Sequence, residues 1–176
     1  MIQKKSVSQI RSLSLAFQGL IVGIILVFPA LLSMDIGNAH FGFSFLPVAV
    51  LYYWPRAASH TGSLLCVFLL GLFYDMVGAN TLGMWALAFL VLFMVLDSAP
   101  NVKPGLGRAM LGFVMSLGLC FLVVLLVGWI SIGTLPQIGT LLLNAVATIV
   151  IFPIIYWVHS IFYTIRGPSN ALGLRE

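Results

Sequence analysis

Residues 13–34 read LSLAFQGLIVGIILVFPALLSM, a stretch without a single Asp, Glu, Lys or Arg. At ~1.5 Å per residue such a run reaches about 33 Å as an α-helix, enough for a hydrocarbon core ~30 Å thick. Lys4, Lys5 and Arg11 precede it, but no convincing small-x-small cleavage site follows. The segment therefore reads as a retained membrane helix rather than a signal peptide.

The remainder of the chain has the same character. Of 176 residues, 61% are apolar and 7% charged, and the mean hydropathy is +1.15. A soluble domain carries about 25% charged residues, so this chain is too poor in charge to cover its own surface in water. Further apolar runs over residues 39–54, 62–77, 81–96, 109–132 and 138–163 predict five more spans. Between them lie turn and breaker signals: Asp35-Ile36-Gly37-Asn38, Pro55-Arg56, Gly78-Ala79-Asn80, the polar stretch 97–105, and Gly133–Gln137. Residues 1–12 read as an N-terminal segment and 164–176 as a tail. Spans two to four reach only about 24 Å each, which favours a small, irregular bundle over a regular array.

Charge then orients the bundle. With six spans, Lys4, Lys5, Arg11, Arg56, Lys103, Arg108, Arg166 and Arg175 all fall on one side, and the other three loops hold no base. The positive-inside rule places both termini in the cytoplasm. The fold class read from the residues is thus an all-α integral membrane protein, a compact N-in/C-in bundle of six transmembrane helices. The bases are too few and scattered for a nucleic-acid surface. Cys66 and Cys120 lie within apolar runs and read as small packing residues, not a disulfide.

Few residues stand out against this background. Tyr53 and Trp54 close the second span and Trp129 the fifth, reading as interfacial anchors. Pro29, Pro47 and Pro153 lie within spans and are expected to kink them, and Asn144 is placed to hydrogen-bond between helices. Gly19 and Gly23 form a small-xxx-small pair in the first span. The most informative residue is Asp75, at the outer end of the third span in GLFYDMVGANTLG, residues 71–83. An acid there opposes its own helix dipole and needs compensation. Two readings stay open: a carboxylate accepting N–H groups at the start of the fourth helix, or one facing the bundle interior or a partner. Gly71 shares a helix face with Asp75 and suits close helix approach, Gly78 suits a positive-φ turn, and Gly83 sits one turn into the fourth helix. Asn80 or Thr81 is a further candidate cap for that helix.

Catalytic patterns are missing from the sequence. Asp35, Asp75 and Asp97 lie on three separate connections, His40, His60 and His159 share no metal-ligand spacing, and no glycine-rich phosphate loop follows a strand. These readings favour a protein that is not an enzyme and needs no metal or cofactor.

Leu46-Pro47-Val48-Ala49-Val50-Leu51-Tyr52-Tyr53-Trp54, then Gly71-Leu72-Phe73-Tyr74-Asp75, Gly78 and Leu82-Gly83 with Ala86-Leu87, resembles the core pattern of the rod shape-determining MreD family. Asn144-Ala145-Val146 followed by Pro153 resembles the end of that family. The resemblance covers spans two to four and, more loosely, the last. It implies a non-catalytic inner-membrane scaffold of the bacterial cell-elongation machinery, acting in peptidoglycan synthesis and cell shape. The implied partners are MreC, MreB, and RodA with its transpeptidase, and the implied fold is similar to the substrate-binding subunits of energy-coupling-factor transporters. Asp75, Gly71, Gly78, Leu82 and Gly83 are the implied motif residues. Self-association into a homo-oligomer stays open, and the alternative function is a substrate-binding subunit of a vitamin transporter.

Overall fold

Uninterrupted apolar sequence and good helix formers give long helices wherever no proline, glycine pair or polar cluster intervenes. In the computed structural model, which describes residues 2–36, 39–55, 58–79, 81–97, 105–133 and 137–165, the order is α1 (Ile2–Ala30), β1 (Ser33–Ile36), β2 (Ala39–Gly42), α2 (Leu46–Tyr52), α3 (His60–Val77), α4 (Met84–Asp97), α5 (Leu106–Ile132) and α6 (Ile138–Ile165). Among the described residues, stretches of α1, α3, α5 and α6 are long and apolar enough to cross a membrane, and Met84–Leu96 is a shorter apolar helix. The fold is a helical bundle compatible with a multi-pass membrane protein.

The second expected span is not a helix over 39–54. Its first part is strand β2, antiparallel to β1 with Ser33 opposite Gly42 and Ile36 opposite Ala39. Its second part is the seven-residue α2, only about 10 Å long at the α-helical rise. Asp35 therefore lies on a strand, in register with His40, and not in a turn. A composition of Phe, Val, Leu and Ala fits either element, so the apolar run concealed the change of conformation. Pro47 marked it. Instead of kinking a span, it sits in the first turn of α2, where its missing N–H leaves no helical bond unmade.

Other boundaries move less. Helix α1 starts at Ile2, so most of the segment expected before the first span is already helical, and Pro29 falls in its last turn. The α6 helix continues through Pro153. Arg108, expected in a loop, lies in the first turn of α5. Arg56, Asn80, Lys103, Arg166 and Arg175 lie outside the described residues.

Helix α2 forms the middle of the bundle. Its residues Leu46–Leu51 are all buried, and α1, α4, α5 and α6 pack around it. Helices α3 and α4 form the closest antiparallel pair, α1 covers α3 and α2, and α6 closes the far side against α5 and β2. On α1, glycine spacing sets the approach: a Cβ at Gly19 would lie 3.0 Å from the Trp54 ring, and one at Gly23 would lie 2.6 Å from Leu70. Large apolar side chains such as Phe17, Ile25 and Phe28 line the outer face of the same helix. In a lipid-facing bundle, such small-residue contacts replace the burial of apolar surface from water as the source of helix association.

Gly23→Val places a branched side chain against the fully buried Leu70 and is expected to destabilise the bundle by about 1–3 kcal/mol. Gly118→Val, at a position with open space around it, is the matched control and should leave thermal unfolding in detergent almost unchanged.

Candidate functional site

Asp75 lies in the last turn of α3 and is 1% exposed. Its carboxylate reaches across to the start of α4. Oδ2 accepts the backbone N–H of Gly83 at 2.9 Å and of Ala86 at 3.4 Å, and Oδ1 accepts that of Trp85 at 3.1 Å. These are donors that a helix start leaves without intrahelical partners, here supplied with an acceptor from a different helix. The negative charge that opposes the dipole of α3 lies at the positive end of α4. Of the two readings of Asp75, the structure contains the capping arrangement.

Two glycines make this geometry accessible. A Cβ on Gly71, one turn before Asp75, would collide with the backbone of Ala86, so only glycine lets α4 begin this close to α3. Gly83 has φ +93° and turns the chain into α4. It precedes the helix, rather than lying one turn inside it. Gly78 differs from expectation: its φ is −79°, it ends α3 by donating its N–H to the Tyr74 carbonyl, and the left-handed residue is Ala79 at φ +50°. Thr81 contributes its backbone carbonyl to Met84, while the side-chain acceptor for α4 is Asp75. Leu82 is 70% exposed and packs little inside the bundle.

Next to Asp75, Tyr74 extends the same site. Its hydroxyl donates to the Ser44 carbonyl at 2.8 Å, in the irregular link between β2 and α2. Asn144 of α6 braces the link from the other side. Its Oδ1 accepts the Gly42 N–H at 2.6 Å and its Nδ2 donates to Ser44 Oγ at 3.2 Å. The expected interhelical role of Asn144 thus takes the form of a helix-to-link contact. Thr148, one turn on, donates to the Asn144 carbonyl and satisfies its own hydroxyl. Rings fill the space between: Trp85 meets Tyr74 and Phe45 edge-on at 4.9 and 5.3 Å, and Phe45 lies 6.2 Å from Phe121 of α5. Asp75, Tyr74, Ser44 and Asn144 thereby join α3, α4, the β2–α2 link and α6 in one buried knot. Tyr74, Ser44, Phe45 and Trp85 were not singled out from sequence. The pairing of Tyr74 with Asp75 was the available signal, since a tyrosine beside a buried acid needs its own hydrogen-bond partner.

The aromatic anchors divide. Trp129 is 55% exposed near the end of α5, where the Gly133 N–H closes the helix on its carbonyl with φ +70°. Trp54 is 6% exposed and lies inside the bundle against Gly19 and Phe93, so it is a packing residue and not an interfacial anchor. Tyr53 is half-buried and stacks on Phe152 and His159 of α6. Among the described residues, no group of three or more His, Cys, Asp or Glu side chains is placed to hold a metal ion.

The class defined by these features is a helical bundle with membrane-length helices and a buried polar knot at one end. No family model, curated protein or solved structure matches the chain.

Asp75→Ala leaves three N–H groups of a buried helix start without an acceptor and is expected to cost about 2–4 kcal/mol. Asp75→Asn keeps one acceptor oxygen and should lose less. Leu82→Ala, at a position 70% exposed, should have a small effect. Thermal unfolding of the three purified variants gives the ranking, and equal melting of Asp75→Ala and Leu82→Ala would contradict it.

Proposed function

We propose that this chain is a non-catalytic, multi-pass scaffold of the bacterial inner membrane, of the MreD kind, which binds MreC and links it to MreB and to RodA with its transpeptidase. The observation that carries the reading is the convergence of its motif residues. Gly71, Asp75 and Gly83, three of the residues that carry the family resemblance, meet at one structural point where a carboxylate from one helix starts the next. Such a motif fixes the relative placement of helices, which is what a scaffold requires of its interior.

The polar groups at this end support the same reading over a vitamin carrier. A carrier needs polar groups free to face a ligand, whereas Tyr74, Asp75 and Asn144 bond to the chain's own backbone or to Ser44. In this proposal both termini are cytoplasmic. The β2–α2 segment makes the second crossing as a broken element, its irregular backbone enclosed by protein, as non-helical backbone at membrane depth must be. Six crossings keep every basic residue on the cytoplasmic side.

Co-expression with MreC from the same genome tests the proposal. A complex that survives detergent extraction and crosslinking is the expected result, together with rounding of rod-shaped cells on depletion. Unchanged rods after clean deletion, with no MreC captured, would refute it.

A further inference from the structure

Gln18 stands out on the outside of the bundle. It lies six residues into the membrane-length stretch Ser12–Ala30 of α1, about 9 Å along the helix, and it is exposed. More than two residues from either end of the four membrane-length stretches, it is the single exposed acid, base, amide or hydroxyl residue among the described residues. An amide carries two N–H donors and a carbonyl acceptor, and hydrocarbon satisfies none of them. Lysine and arginine reach back to the interface on long stems, whereas glutamine has only two methylenes.

The rotation of α1 follows from what it buries. Ala16, Gly19, Leu20, Gly23 and Val27 form its inward stripe, with Gly19 against Trp54 and Gly23 against Leu70 of α3. At 3.6 residues per turn, Gln18 falls on the far side of the helix from that stripe. The small-xxx-small pair is therefore used inside the chain and is not available to an external helix. On the outward side, Ser14, Gln18, Ile21, Ile25 and Phe28 are all exposed, at intervals of four, three, four and three residues. That alternation is the seven-residue repeat of a left-handed helix pair, here with an amide in a mainly apolar seam. One amide at such a position fixes register and partner number in coiled coils.

We propose that α1 pairs in parallel with α1 of a second copy of this chain, the two Gln18 amides hydrogen-bonding to each other across the two-fold axis. The amide itself argues for a second copy, because it is self-complementary: the N–H of each donates to the carbonyl oxygen of the other. Copies inserted in one orientation carry Gln18 at the same depth, so a two-fold axis along the membrane normal brings the amides level. Ile21 and Ile25 continue the seam beyond them. Arg11 falls on the same repeat but outside the membrane-length stretch, where ions screen the like charges, so close contact is confined to Ser14–Phe28. The opposite face of α1 keeps its packing on α2 and α3. The inference rests on the membrane placement of α1 and not on the scaffold reading.

The test uses the full chain, labelled at its C-terminus with a donor or an acceptor fluorophore, in liposomes of phosphatidylethanolamine and phosphatidylglycerol. Energy transfer in the parent should rise and saturate as the protein-to-lipid ratio increases. Gln18→Leu removes the amide and should weaken association about five- to thirtyfold, while Gln18→Asn keeps an amide and should retain most of it. In dilute detergent, Gln18→Leu should melt at or above the temperature of the parent, which separates loss of association from loss of folding. Mild oxidation should link Ile21→Cys into a dimer and leave Leu126→Cys, exposed on α5, unlinked. A parent that stays monomeric at every ratio, undiminished association of Gln18→Leu, or linkage through Leu126→Cys rather than Ile21→Cys would overturn the pairing. Loss of the parent from carbonate-washed membranes would overturn it together with the membrane placement on which it rests.

Discussion

Trp85 and Ala86 in the first turn of α4 are buried against the bundle, and the Asp75 carboxylate supplies the acceptors for their N–H groups and for that of Gly83. Much else follows from that constraint. The carboxylate must come from a neighbouring helix, so α3 and α4 have to approach closely, and Gly71 provides the clearance. The chain must also turn sharply between them, which Gly83 achieves with a left-handed φ. Once α4 is started at this point, Trp85 stands beside Tyr74 and Phe45, and Tyr74 is held over Ser44 in the β2–α2 link. A single electrostatic requirement is thereby transmitted into the placement of α2, the centre of the fold.

The β2–α2 link poses the same problem in different form. Irregular backbone packed against apolar helices needs partners for its polar groups, and Asn144 and Tyr74 provide them from opposite sides. Neither interaction resembles a catalytic or ligand-binding arrangement, because each polar atom involved is directed at the chain itself. The polar chemistry of this end serves to fix geometry. That is why the proposed role is one of positioning partners.

Asp75 and Gly71 were legible in the sequence because both are costly where they stand. An acid at a helix C-terminus and a glycine within an apolar helix each need a compensating contact, and the two contacts proved to be one structure. The long helices were legible from uninterrupted apolar length. The second span was misread because residues 39–54 form a mostly apolar run, with only His40, Ser44 and Pro47 interrupting it, and such a run does not by itself distinguish strand from helix. Pro47 was seen, but its meaning depended on whether the helix began before or after it. Trp54 was misread for a related reason: a tryptophan at the end of an apolar run suits a membrane interface, and its inward placement depends on Gly19, a contact between distant segments. The glycine pattern of the turn was half legible, since local sequence does not distinguish Gly78 from Ala79 as the left-handed position.

The most direct test is amide hydrogen exchange at Gly83, Trp85 and Ala86, measured residue by residue in the parent and in Asp75→Ala. Capping by the carboxylate predicts slow exchange in the parent and at least about tenfold faster exchange at these three amides in the variant, with the middle of α5 unaffected. Equal protection of the three amides with and without the carboxylate would contradict the claim that Asp75 holds the start of α4.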